Sequence, residues 1–85
     1  MDKTLTVKLM TPKEMLYNGP AQSVSSTNSA GNFDILPQHA NFISIIENHP
    51  IIIRTGTQEL KFQFTQSIMY AVKNVVTIFA EPHTI

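Results

Sequence analysis

Gly31-Asn32-Phe33-Asp34-Ile35-Leu36-Pro37-Gln38-His39-Ala40-Asn41 is the stretch that decides how this chain reads. Phe33 and Ile35 alternate with Asn32 and Asp34, the two-residue period of a half-buried strand. Gly31 permits a turn before it, and Pro37 stops it by fixing its own φ and offering no backbone donor. His39 then sits in a loop whose start is set by that proline. The unit is a turn, a short strand and a loop, and its neighbours on both sides repeat the pattern.

Upstream, Leu5, Val7 and Leu9 alternate with Thr4, Thr6 and Lys8, so a strand covers Lys3 to Met10. Thr11-Pro12-Lys13 breaks it. Met15-Leu16-Tyr17 reads as a short second strand ended by Asn18-Gly19-Pro20. Ser23 to Asn28 is polar and tolerant of β geometry, with Val24 as its apolar anchor, and reads as a weak or edge strand. Asn28-Ser29-Ala30-Gly31 turns the chain. Ser23, Ser25, Ser26 and Ser29 are read as facing water and filling turns.

Downstream, Phe42 to Ile46 and Ile51 to Arg54 are almost continuous apolar runs split by Asn48-His49-Pro50. Such runs are buried on both faces or pack against a partner; their shortness and isoleucine content favour strand over helix. Leu60, Phe62 and Phe64 alternate with Glu59, Lys61 and Gln63. Ile68 to Val72 and Val75 to Ala80 are two further strands, joined through Lys73-Asn74 as a tight hairpin turn. About nine to ten short strands with closely spaced turns predict an all-β fold, a small antiparallel β-sandwich or flattened barrel. At 85 residues the chain is a single domain over residues 1–85.

Composition narrows function mainly by exclusion. Lys plus Arg and Asp plus Glu number 6 each, for a net charge of zero. The basic excess of a nucleic-acid binder is therefore missing. There is no cysteine, which excludes disulfides, thiolate metal sites and cysteine nucleophiles. No apolar run approaches the roughly 20 residues of a membrane span, and the first residues lack the apolar core of a signal peptide. Charged residues make up 14% of the chain, against about a quarter in ordinary domains. Such a surface suits a protein partly covered by a partner.

No catalytic constellation emerges. His39, His49 and His83 lie on three separate turns or tails, with no spacing that makes them converge on a metal. No serine sits in a nucleophile-elbow context. The acids Glu14, Asp34, Glu47, Glu59 and Glu81 are scattered singly, and Gly19, Gly31 and Gly56 are isolated turn glycines rather than a phosphate loop. No cofactor, metal or catalytic residue is expected. Asp34 reads as a solvated strand carboxylate that is also able to contact a partner.

Three places nevertheless resemble one family, the N-terminal β-sandwich domain of the epsilon subunit of rotary ATP synthases. Leu5-Thr6-Val7-Lys8-Leu9-Met10-Thr11-Pro12 followed by Leu16-Tyr17-Asn18-Gly19 looks like its first hairpin. Gly31-x-Phe33-x-Ile35-Leu36-Pro37-x-His39-Ala40 looks like its most recognisable motif, and Val75 to Ala80 like its closing strand. The resemblance runs from about Leu5 to Ala80. The chain departs from it at Asp34 and Gln38, where the family often has glycine, and at Asn41, where it usually has proline. It also departs at Gln66-Ser67, where the family commonly has two glycines, and at Asn32, where an acidic residue is common. The neutral Asn32 implies a weakened electrostatic part of the contact with the rotor ring.

The resemblance implies a non-catalytic, mechanical role in the central stalk. The chain would couple the gamma shaft to the membrane rotor ring of a proton- or sodium-translocating ATP synthase, and so help transmit torque. Its place would be peripheral, on the cytoplasmic face of the bacterial inner membrane or the equivalent face in an organelle. By the same resemblance the ring-facing loop is Asn32, Phe33, Asp34, Gln38 and His39, and the shaft-facing positions include Thr11, His39 and Ser44. Many members continue into a two-helix hairpin that inhibits hydrolysis; no such hairpin follows within these residues, which implies no inhibition of that kind. The alternatives are a free-standing β-sandwich that recognises another protein and, more remotely, a small-ligand or metal-binding domain using the histidines.

Overall fold

A computed structural model describes residues 4–38 and 41–81. The chain forms nine strands: β1 Leu5–Met10, β2 Met15–Ala21, β3 Ser23–Asn28, β4 Gly31–Ile35, β5 Phe42–Glu47, β6 Pro50–Arg54, β7 Glu59–Gln63, β8 Gln66–Val72 and β9 Val75–Ala80. They build two facing sheets, one in the order β2-β1-β9-β8-β5 and one in the order β4-β3-β6-β7. Every pairing is antiparallel except that of β1 with β9, which run parallel in the middle of the five-stranded sheet. The expected sandwich is thus observed, with one parallel pair at its centre.

The alternating residues close the core as their period requires. Leu5, Val7 and Leu9 from β1, Val76 and Ile78 from β9, and Met69 from β8 face Val24, Ile35, Ile51 and Ile53 of the other sheet, all essentially inaccessible to solvent. Leu60, Phe62 and Phe33 pack against this core from the rim. Among the described residues no buried side-chain nitrogen or oxygen lacks a hydrogen-bond partner.

The turns show why these residues end strands. Thr11 holds the β1–β2 turn: its Oγ1 accepts from the backbone N–H groups of Lys13 and Glu14, both at 3.2 Å, while its own N–H donates to the Glu14 carbonyl at 2.9 Å. Lys73 and Asn74 both take positive φ, 51° and 66°, and Val72 pairs with Val75. This is the two-residue hairpin whose twist matches its flanking strands. Gly31 takes φ 120° where the β3–β4 hairpin re-enters its strand.

Gln38 also lies in the left-handed region, at φ 67°. That is the position where the resemblance places a glycine, so the backbone retains the glycine conformation without the glycine. A β-carbon there costs on the order of 1 kcal/mol. At Gln66-Ser67 the reverse holds. Both residues belong to strand β8 and neither needs positive φ.

Three expectations need correction. β2 runs on through Asn18-Gly19-Pro20 to Ala21 instead of stopping at Tyr17. It is an edge strand, where a proline without a donor is tolerated. β3 is not an edge strand, since it lies between β4 and β6. As a result Ser23, Ser25 and Ser26 are buried, not solvated; only Ser29 is exposed, in a turn. Small hydroxyl side chains fit such positions where a local partner is at hand: Ser25 Oγ accepts from Arg54 Nη1, and Ser26 Oγ donates to the Pro50 carbonyl, both at 2.8 Å.

Candidate docking surface

The sandwich has two outward faces of opposite character. On the four-stranded sheet a chain of polar contacts crosses all four strands. Arg54 of β6 donates from Nη1 to Ser25 Oγ of β3 at 2.8 Å and from Nε to Glu59 Oε1 of β7 at 3.2 Å. Ser25 Oγ in turn donates to the carboxylate of Asp34 on β4. Thr27 Oγ1 donates to Asn32 Oδ1 at 2.7 Å beside it. This face satisfies itself and tolerates water.

The outward face of the five-stranded sheet does the opposite. Register places Ile45 beside Ile68, Ile68 beside Phe79, Phe79 beside Met10, and Met10 beside Met15. The result is one unbroken apolar row across five strands. The next row reads Ile43, Tyr70, Thr77, Lys8, Asn18, and the third Val72, Val75, Thr6, Pro20. Ile43 is 73% exposed and Ile45 55% on edge strand β5, and Phe79 is 47% exposed although β9 has a neighbour on either side, high values for β-branched and aromatic side chains. Across the three rows Lys8 is the only charged residue. Tyr70 and Phe79 lie with ring centroids 6.0 Å apart. Two open hollows flank the rows, one of about 370 Å³ lined by Met10, Thr11, Pro12, Ile68 and Phe79, the other of about 400 Å³ between Phe42, Ile43, Tyr70 and Val72. A contiguous apolar surface of this kind marks an interaction site.

The residues singled out by the sequence fall in several places. Asn32, Phe33 and Asp34 lie within strand β4 rather than in a loop. Asn32 and Asp34 are exposed on the polar face, whereas Phe33 points into the sandwich and sits 5.0 Å from Phe42. Gln38 follows the far end of β4 from the Gly31 turn, its N–H donating to Asn74 Oδ1 at 2.6 Å. The structure therefore does not gather Asn32 and Gln38 at one point. His39 lies outside the described residues, as does His83, and His49 is exposed between β5 and β6.

Thr11 lines the hollow at the end of the apolar row. Ser44 points inward from β5, its Oγ accepting from Asn28 Nδ2 at 2.9 Å; its neighbours Ile43 and Ile45 are the ones that face outward. Sequence reasoning passed over Ile43, Ile45, Ile68 and Phe79 as surface residues. The signal was the apolar run Phe42 to Ile46, of whose two readings packing against a partner fits the exposed side.

Comparison with known proteins agrees with this architecture. The family model described as the beta-sandwich domain of the ATP synthase delta/epsilon chain matches residues 4–83. An ATP synthase epsilon chain of Brevibacillus brevis is 31% identical over 78 residues, covering 91% of this chain and 59% of that protein. One of Salinibacter ruber is 30% identical over 90 residues, covering 95% of this chain and 60% of its own length. The chain thus spans about three-fifths of the length of these relatives. Among solved structures, a chain of the Euglena gracilis mitochondrial ATP synthase, in its OSCP/F1/c-ring assembly, superposes with a TM-score of 0.86 at 12% identity, over 94% of this chain and 52% of that one. A chain of the Tetrahymena thermophila mitochondrial ATP synthase central stalk and c-ring gives 0.78 at 16%, over 94% and 64%. At these identities the structural likeness is one of fold.

Proposed function

The chain belongs to the family of the ATP synthase delta/epsilon chain β-sandwich domain, and from that premise we propose that it is a non-catalytic central-stalk subunit joining the gamma shaft to the membrane rotor ring. The observation that carries the reading beyond membership is the apolar row Ile45, Ile68, Phe79, Met10, Met15. A surface of that kind calls for a protein partner, and a rotating stalk offers one held in place throughout the cycle. A closed two-sheet core packed with isoleucine and valine is stiff, as a torque-bearing adaptor has to be.

In this reading the apolar face meets the shaft. Thr11 stands at its rim, and Ser44 acts indirectly by seating β5 on β3 so that Ile43 and Ile45 project outward. Asn32 and Asp34, exposed on edge strand β4, are placed to meet the ring, with Phe33 bracing them from inside. Gln38 and His39 lie beyond the other end of that strand, so they contact the ring only if the contact runs along β4. Among the described residues no helix is long and apolar enough to cross a membrane. We place the protein peripherally, on the cytoplasmic face of a bacterial inner membrane or its organellar counterpart.

The test is co-purification of the chain with a gamma subunit and with detergent-solubilised rotor ring. Phe79→Glu is expected to abolish gamma binding while leaving the fold intact, because Phe79 is half exposed. An Asn32→Ala/Asp34→Ala double variant is expected to weaken only the ring contact. Binding to neither partner would sink the stalk reading and leave a free-standing interaction module.

A further inference from the structure

The apolar face carries few charges, and the two signs are kept apart on it. Beyond the row of Ile45, Ile68 and Phe79 the strands continue to Glu47, Gln66 and Glu81. Glu47 pairs with Gln66, and the Glu81 N–H donates to the Gln66 carbonyl at 2.9 Å. Two exposed carboxylates thus border one end of the face. Lys8 lies in the middle row and Lys73 in the β8–β9 turn at the far end, both exposed. Arg54–Glu59, on the other sheet, is the only ion pair among the described residues, so Glu47, Glu81, Lys8 and Lys73 are all unpaired there. Lys13 and Glu14, in the β1–β2 turn, are neighbours of opposite sign and offset each other.

We propose that the element docking on this face is itself bipolar: an apolar segment that sets a carboxylate over Lys8 and a basic residue beside Glu47 and Glu81. The proposal deepens the stalk reading and rests on it, the element being part of the shaft. The signs on the face do not neutralise one another. Glu81 lies four residues past Thr77, the neighbour of Lys8, or about 13 Å along the strand. That exceeds the Debye length of about 8 Å at physiological salt.

The two signs play different parts. Docking dries the middle row, where Lys8 has Thr77 on one side and Asn18 on the other, neither of them charged. An ammonium shut in there without a counter-charge is heavily penalised, so a partner that binds tightly has to bring one. Glu47 and Glu81 stand at the border, where water remains, and serve to attract and orient the incoming partner. Between the signs lies the hollow beside Met10, Ile68 and Phe79, which takes an apolar side chain. An apolar surface alone would accept the partner either way round. With opposite signs at its two ends, a partner turned end for end brings like charges together at both, and only one orientation is accepted.

The test is the binding kinetics of a purified gamma subunit on the immobilised 85-residue chain at several salt concentrations. Lys8→Glu is expected to weaken binding at least ~100-fold and Lys8→Met at least ~10-fold, mainly through faster dissociation. Glu47→Gln/Glu81→Gln should slow association several-fold at low salt and leave dissociation unchanged. Lys61→Glu makes the same charge change on β7 of the opposite sheet and should dissociate like the wild type. Because Lys8, Glu47 and Glu81 are exposed, circular dichroism should show each variant folded. One acid-to-lysine change in gamma should restore tight binding to Lys8→Glu, which a merely structural lysine would not allow. A Lys8→Met chain that binds like the wild type, or association indifferent to salt and to the loss of both carboxylates, would overturn the proposal. Either result leaves the shaft on this face so long as Phe79→Glu still abolishes binding. A wild-type chain that does not bind gamma at all refutes the stalk reading itself, and the bipolar element with it.

Discussion

Two isoleucines in this chain differ in surroundings and in nothing else, and shortening both by one methyl group measures how the sheet faces are used. Ile53 on β6 is fully buried, paired with Val24 on one side and Leu60 on the other. Ile43 on β5 is 73% exposed. Replacing each with valine keeps the branched β-carbon, so strand preference is unchanged and only burial is altered. At Ile53 the lost transfer energy is about 0.8 kcal/mol, and the space left behind raises the cost to about 1–1.5 kcal/mol. At Ile43 about a quarter of the side chain is shielded, so the same deletion costs about 0.2 kcal/mol. For a chain of this size 1 kcal/mol shifts the melting temperature by roughly 4–8 °C. Ile53→Val should therefore melt several degrees below the parent, and Ile43→Val within about a degree of it. The assay is thermal and urea unfolding followed by circular dichroism. Equal losses at the two positions would mean that the outward face is already covered within the single chain, and the docking surface would be refuted.

Other positions give independent checks. Phe62→Ala removes a ring that packs against the core and stacks on Phe64 with centroids 6.4 Å apart; a loss of about 2–3 kcal/mol in urea titration is expected, and a neutral result would mean that β7 faces the other way. Gln38→Gly relieves a left-handed residue and should raise stability by about 0.5–1 kcal/mol, read as a higher urea midpoint. Asn74→Val places a branched residue at φ 66° and removes the Oδ1 that accepts the Gln38 N–H; a loss of at least ~1–2 kcal/mol is expected in the same titration. Arg54→Met removes an ion pair whose partners are largely exposed, 42% and 60%, together with the Nη1 hydrogen bond to the buried Ser25 hydroxyl, so a loss of about 1–2 kcal/mol is expected in the same titration.

The sequence was most legible where a signal was local. Leu5-x-Val7-x-Leu9 and Lys73-Asn74 carry their geometry within a few residues, and both appear in the structure as read. It was less legible where the outcome depends on a strand's place in its sheet. Pro20 looks like a stop until β2 is known to be an edge, and Ser23, Ser25 and Ser26 look solvated until β3 is known to lie between two neighbours. The same limit hid the docking face. Ile43, Ile68 and Phe79 are ordinary strand residues one at a time, and become a surface only when register lines them up across strands distant in sequence.

The parallel pairing of β1 with β9 also carries a consequence for biosynthesis. Thr6 lies beside Val75, so the first strand, which has β2 at hand on one side, finds its neighbour on the other nearly seventy residues later in the chain. At ordinary translation rates of about 5–20 residues per second, β1 waits roughly 4–14 s for that neighbour to be made. Until then the five-stranded sheet has a gap at its middle, and Leu5, Val7 and Leu9 have no complete core to enter. The alternation that defines β1 in the sequence is, during this interval, a liability that the nascent chain has to survive.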